Sequence, residues 1–392
     1  MPRMPIAASG KRLALFLDGT WNTVSDNTNV WRLRSLIAEA SADGVKQIPY
    51  YSTGLGTKFG ERIRGGMFGR GIDTAITGAY EWLVEKYDPG DEIFIFGFSR
   101  GSYTARSLSG FVSKCGLLQR GAPLGVNQLY MRYRRSGQKT INELNTERKA
   151  GAKSFPIEES WMLNYAMEVD IKFIGVFDTV GALGVPFPLF RRIWGSAYPF
   201  LNTGLRHNNL NAFHAMAIDE HRKAFTPTLW TNKGATDKPP RTLDLTEQRW
   251  FVGAHANVGG GCFSDPLAQL PLKWLQGKAN SLGLTFNDHF TVSSDAGKAA
   301  ISDSFREFLK GLYPVLRLGI RYHRGIGVPP REEGVGVVTI NETIDGSVFD
   351  RWRADSNYRP KGLISWAKLK EISPANLNSS VLAENPTVSV PD

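Results

Sequence analysis

Residues 91–112, DEIFIFGFSRGSYTARSLSGFV, constrain the fold more than any other stretch of the chain. Ile93 to Phe96 form a short apolar run bounded by Pro89-Gly90 on one side and Gly97 on the other, which reads as a fully buried strand. GFSRG follows, a match to G-x-S-x-G. Beyond it Tyr103, Leu108, Phe111, Val112 and Cys115 recur at helical spacing. Strand, tight turn and helix in that order turn a common pattern into a nucleophile elbow, with Ser99 projecting at the helix N-terminus. There the Arg100 amide faces the charge that develops on an attacked carbonyl oxygen. The bland alternative is a serine in a structural turn.

The surrounding chain supplies strand–helix–strand units. Arg12 to Leu17 predict a strand entering Asp18-Gly19-Thr20, which is turn chemistry. A helix then starts near Asn27 to Asn29, and Gln47 to Ser52 predict a second strand. Ile72, Ile76, Ala79, Tyr80, Leu83, Val84 and Tyr87 share one helix face. The expected architecture is therefore α/β: a doubly wound, mainly parallel sheet covered on both faces. A single domain is expected over 11–366, with insertions near 119–168, 185–210 and 263–345 and a polar, loosely ordered tail at 367–392. LAQLPLKWLQGKA is the best helix after residue 262.

Two more strand ends carry candidate groups. IKFIGVF, 171–177, runs into Asp178, which puts an acid on the same sheet rim as the elbow. RWFVG, 249–253, leads into AHANVGGG, and His255 is expected in a glycine-rich loop at that strand end. Serine, then aspartate, then histidine is the chain order of α/β-hydrolase triads. In such a triad Ser99 attacks, His255 moves the proton and Asp178 fixes the imidazole tautomer. An N-cap or turn aspartate and a hydrogen-bonded loop histidine are the alternatives. The second oxyanion donor is expected in the loop after the first strand, from the Gly19 or Thr20 amide.

Other patterns exclude chemistry. D-x-D-G-T marks aspartyl-phosphate phosphatases, but the nucleophile position is Phe16 here. Asp18 is then a turn former or part of the mouth of the site. His207, His214 and His221 recur every seven residues. On one straight helix that is a rise of about 10.5 Å, too far to share an ion, so helix packing or surface is expected instead. Cys115 and Cys262 are the two cysteines; they give neither a disulfide framework nor a zinc site. No metal or organic cofactor is expected.

The formal charge of +10 favours anionic partners. No nucleic-acid motif accompanies the bases; a solvated basic face is the default reading, and attraction to anionic lipid headgroups is the better functional option. Residues 54–71 hold seven glycines among several bases, without a phosphate-loop register. They read as a loop or as a basic rim (Lys58, Arg62, Arg64) for an anionic substrate. The segment 185–201, with its aromatics, prolines and arginines, reads as a lid, a lipid-touching patch or a packed insertion. No apolar run approaches the roughly 20 residues that span a bilayer, and the N-terminus lacks a signal h-region. Cytoplasmic synthesis is expected.

LFLDGTWN, NTNVWRL, YYSTGLGT, GRGIDTAITGAYEWL, IFIFGFSRGSYTAR, FIGVFDTVGALG and RWFVGAHANVGGG occur in this order. Together they resemble the α/β-hydrolases of domain of unknown function 2235, the catalytic-domain family of type VI secretion phospholipase effectors. The resemblance runs from about residue 11 to about residue 265. It implies a Ser–Asp–His triad, falling on Ser99, Asp178 and His255, and cleavage of glycerophospholipid acyl esters by a phospholipase A reaction. It also implies a phospholipid substrate, export by a type VI system, and a secretion adaptor or immunity protein as partner. In the larger effectors membrane-anchoring or adaptor-binding regions are sizeable, and 392 residues leave little room for them. Near 341–352 the family often has His-Pro where this chain has Asp345-Gly346. A carboxylesterase or thioesterase on small soluble esters, and a hydrolase-like binding module without an assembled triad, are the competing readings.

Overall fold

The computed structural model describes residues 10–20, 24–54, 67–180, 205–233, 241–261, 265–287, 290–328 and 337–377. Its centre is a seven-stranded sheet in which every neighbouring pair is parallel. The strands are β1 (Arg12–Thr20), β2 (Gln47–Gly54), β3 (Glu92–Phe98), β6 (Phe173–Phe177), β7 (Ala212–Ala217), β9 (Thr246–Phe251) and β11 (Glu342–Ile344). Two small antiparallel pairs stand apart: β4 (Leu117–Leu118) with β5 (Ala166–Met167), and β8 (Thr231–Lys233) with β10 (Val337–Thr339). The main order is β11-β9-β7-β6-β3-β1-β2. Strand progression reverses between β1 and β3, and that switch point is where open α/β sheets build sites at strand C-terminal ends.

Side-chain alternation divides the core in two. Leu13, Leu15 and Leu17 of β1 and Ile93 and Ile95 of β3 pack with Ile76, Tyr80, Leu108 and Phe111. The last four belong to helices α2 (Met67–Lys86) and α3 (Arg100–Cys115). Ala14, Phe16, Phe94 and Phe96 face the other way and meet Val30 and Leu33 of α1 (Asn29–Leu36) and Leu272 and Leu275 of the helix Pro266–Ser281. A period of two along a strand with both faces apolar is what a sheet covered by helices on both sides requires. A third cluster, with Trp250, Ile344, Phe349, Leu363 and Trp366, closes the β9–β11 end.

Several local expectations change. Asp18-Gly19-Thr20 does not turn: it remains in β1, with a register shift against β2 between Leu17 and Thr20. The Asp18 carboxylate folds back onto the Gly19 amide at 2.7 Å and receives the Thr28 and Tyr51 hydroxyls at 2.5 and 3.0 Å, which holds the irregular segment in the strand. Thr28 caps α1 by accepting from the Trp31 amide at 3.1 Å. His214 lies in buried β7, not on a helix. The region after 262 supplies edge strand β11, which three residues are too few to announce by alternation. Packing also continues past 367, where Ala367 and Leu377 are buried in the third cluster.

Candidate active site

The elbow is built by backbone contacts. Ser99 adopts φ 57° and ψ −119°, a conformation that L-residues other than glycine seldom hold. Two glycines make it possible. A Cβ on Gly97 would lie 2.7 Å from the Gly101 carbonyl oxygen and the Ser102 Cα, and one on Gly101 would lie 2.1 Å from the Leu17 carbonyl oxygen. The Ser99 amide donates to the Phe177 carbonyl at 3.1 Å, and the Ser102 hydroxyl donates to the same carbonyl at 2.9 Å. Those two bonds hold the start of α3 against the end of β6.

Three candidates from separate strand ends then meet. The Ser99 hydroxyl lies 2.9 Å from His255 Nε2, and His255 Nδ1 lies 2.5 Å from Asp178 Oδ2. With Nδ1–H donating to the carboxylate, Nε2 is left to accept from the hydroxyl, the tautomer a base needs. Exposure is 9% for Ser99, 6% for His255 and 0% for Asp178. The serine is thus the most accessible of the three. Asp178 has φ 39°, a left-handed conformation that a short polar side chain tolerates. His255 opens a five-residue helix, His255–Gly259, where the sequence predicts loop; its amide donates to Glu220 Oε2 at 3.2 Å. Phe98 and Phe225 flank its ring at centroid distances of 4.8 and 5.0 Å.

This environment sets the charges. Burial pulls His255 below its ordinary value of 6.5, against the opposing hydrogen bond and charge of Asp178. Burial alone would raise the Asp178 carboxyl, but the Arg324 charge and the His255 hydrogen bond override it and hold it well below the usual carboxylate range. Nη1 and Nη2 of Arg324 donate to Asp178 Oδ1 and Oδ2 at 2.6 and 3.0 Å. Beside the imidazole, Arg222 pairs with Glu220 at 2.8 Å and stacks 3.5 Å over the Phe225 ring.

Sequence patterns missed Arg324, Glu220, Arg222 and Phe225. None lies on an element long enough to show a period, and Arg324 reaches a partner 146 residues away. No local signal marks them.

The Arg100 amide occupies the first position of α3, one residue past Ser99, as expected for an oxyanion donor. The Gly19 amide instead donates to Asp18 Oδ1, which occupies the group expected as the second donor. The backbone of Thr20 lies in β1; its side chain, like Lys58, Arg62, Arg64, most of the 185–210 insertion, Cys262 and His289, lies outside the described residues. Of the evenly spaced histidines, His214 accepts from the Thr179 amide through Nε2 at 3.0 Å, and burial pulls it down to about 3. His207 is exposed, and His221 stacks edge-on with His323 at 5.0 Å. The buried Cys115 thiol is pushed up to about 12 by desolvation, the state of an inert core thiol. Asp345 caps the helix Gly346–Ala354 by accepting from the Ser347 amide at 3.0 Å. Among the described residues no group of three His, Cys, Asp or Glu could hold a metal ion, and no helix is long and apolar enough to cross a membrane.

A parallel sheet with a strained serine turn at its switch point, and an acid and a histidine after strands β6 and β9 on the same rim, defines the α/β-hydrolase fold. The family described as the catalytic domain of Tle1-like phospholipase effectors of the type VI secretion system matches residues 11–278, and the chain belongs to it. Among curated proteins it is similar to the uncharacterized protein YEL023C of Saccharomyces cerevisiae, 31% identical over 199 residues, which are 46% of this chain and 28% of that one. Among solved structures it is similar to an uncharacterized protein from Pseudomonas aeruginosa, with TM-score 0.45, 15% identity and coverage of 74% of this chain and 50% of the other. It is also similar to the Tle1 effector bound to the VgrG spike of the type 6 secretion system, with TM-score 0.35, 18% identity and coverage of 66% and 52%. The chain thus spans about half the length of the two solved relatives and 28% of the yeast protein.

Proposed function

We propose that the chain is a serine hydrolase of phospholipase A type, with Ser99 as nucleophile, His255 as general base and acid, and Asp178 as the orienting acid. The observation that carries this reading is the continuous path from Ser99 Oγ through the imidazole to Asp178, at 2.9 and 2.5 Å. Ser99 Oγ attacks the acyl carbonyl carbon while His255 Nε2 takes the hydroxyl proton. Asp178 stabilises the imidazolium. His255 returns that proton to the glycerol oxygen as the ester bond breaks, leaving an acyl-enzyme and a lysophospholipid. A water that gives its proton to Nε2 then attacks the acyl-enzyme, and the fatty acid leaves as Ser99 recovers its hydrogen.

The Arg100 amide is one donor to the oxyanion. For Gly19 to be the second, its amide must turn from Asp18 as substrate binds; the Thr20 amide is the other candidate. Family membership supports a phospholipid as substrate and export by a type VI system, with a secretion adaptor or immunity protein as the partner such export would need; the net charge of +10 supports peripheral contact with an anionic membrane.

The test is to incubate the protein and its Ser99→Ala variant with vesicles of phosphatidylglycerol and phosphatidylethanolamine and to analyse the lipids by mass spectrometry. Fatty acid plus lysophospholipid from the unaltered protein alone is the expected result. Labelling by a serine-directed fluorophosphonate without lipid turnover would move the substrate to soluble esters. Absence of both labelling and turnover would overturn the catalytic reading.

A further inference from the structure

One fully buried charge has no part in the acyl-transfer steps. Arg324 sits in a non-helical segment that follows the short helix Leu312–Leu316, and its side chain is 0% exposed. Besides the two bonds to Asp178, Nη1 donates to the Ala217 carbonyl at 2.7 Å and Nη2 to the Phe225 carbonyl. The Asp178 carboxylate also accepts from the Ala217 amide at 3.0 Å, on the oxygen that Nη1 occupies. Its other oxygen is shared between Nη2 and His255 Nδ1. The carboxylate therefore receives four donors, which is its full capacity, and the planar fork of the guanidinium fixes the plane in which they lie.

We propose that Arg324 is a positioning residue for the Ser99–His255–Asp178 site: its fork holds Asp178 in the orientation from which Oδ2 meets the imidazole, and its charge offsets the pull of the carboxylate on an imidazole proton. The proposal rests on the triad reading above. An isolated buried carboxylate beside His255 would favour the imidazolium and take the base out of use in mildly acid solution. A cation on the far side of the same carboxylate opposes this without displacing the hydrogen bond. Orientation matters as much, because a displacement of about 1 Å at a catalytic group costs on the order of 100-fold in rate.

Other charged groups share the site. His255 faces Glu220 and Arg222, which are paired with each other. Arg324 also acts on Asp219, Glu220 and His214, and Arg106 acts on His214. Neutral His214 does not titrate in the range of interest. Asp219, which burial pushes up to about 6, does titrate there, so each comparison is repeated in an Asp219→Asn background.

The experiment measures kcat and KM on a short-chain ester, and fluorophosphonate labelling rates, from pH 4.5 to 9 for the unaltered protein, Arg324→Gln and Arg324→Lys. In the unaltered protein the acid limb is expected on the acid side of an ordinary imidazole, because burial lowers His255. Arg324→Gln is expected to lower kcat roughly 10- to 100-fold with little change in KM, and to move the acid limb up by about one pH unit. Arg324→Lys restores the charge but not the fork, so the limb returns while kcat recovers only in part. If Arg324→Gln does not fold, Arg324→Lys decides: an unmoved limb with lowered kcat supports the proposal, and full kcat overturns it. Profiles that overlay once corrected for the folded fraction also overturn it. Failure of the unaltered protein to label at any pH would instead remove the triad reading beneath it.

Discussion

The seats of Ser99 and Asp178 adjoin on one sheet rim and are held by opposite means. Ser99 is fixed by backbone: a strained φ, two glycines that admit the close passage of α3 over β1 and β3, and the hydrogen bond from its own amide to the end of β6. Asp178 is fixed by side chains from distant parts of the chain, the Arg324 fork and the His255 ring, together with the Ala217 amide. A backbone seat depends on shape and is insensitive to pH. A charged seat depends on its counter-ion, and removing either partner leaves the other buried alone.

Substitutions can break this contrast, and the largest effect belongs to the charged seat. Asp178→Asn gives His255 a donor where it needs an acceptor and strands the Arg324 charge. Activity is expected to fall roughly 10³- to 10⁴-fold, and stability by about 3–5 kcal/mol. Ester hydrolysis and urea unfolding check both; a full-activity variant would refute the assignment. Gly101→Ala tests the backbone seat. Its methyl group meets the Leu17 and Asp18 carbonyls, so stability should drop by roughly 1–3 kcal/mol and the rate by about 100-fold, with the acid limb of the pH profile unmoved. A shifted limb would mean that shape and charge are not separable here.

Asp219 sharpens the comparison, being another buried carboxylate without such a fork. It accepts from the Gly253 amide at 2.8 Å and the Tyr358 hydroxyl at 3.0 Å, and desolvation raises it from 3.8 to about 6. Between those values the folded chain keeps a proton that the unfolded chain has released. Its contribution to stability is therefore complete below 3.8 and is lost as pH rises through 6. Asp219→Asn should raise stability at pH 7 by on the order of 2 kcal/mol, with little change at pH 4. Thermal melts at the two pH values decide, and a loss at pH 7 would contradict the account. The smallest effect is Ser99→Gly, which relieves the strained φ and should be about 1 kcal/mol more stable than Ser99→Ala while equally inactive.

The same contrast governs what could be read in advance. The elbow was legible because strand, turn and helix are contiguous in 91–112 and each has its own pattern. Asp178 and His255 were legible as polar residues at the ends of apolar runs. The Asp18–Thr20 bulge was not, since turn-forming residues are also those that bulges use. Nor was the helix at His255, too short to show a period. Arg324, in the run RYHRGIG, has no periodic neighbour, and its role depends on a carboxylate brought to it only by the tertiary fold.

The family match ends at residue 278. Arg324, the edge strand β11 and most of the third cluster lie beyond it. A fragment ending at 278 would contain Ser99, Asp178 and His255, yet its acid would lack the Arg324 counter-ion and β9 would lose β11, one of its two neighbours. The block recognised by sequence is thus smaller than the unit that seats the proposed triad. Grafting that block onto another carrier would move the three side chains without the ballast that keeps them level.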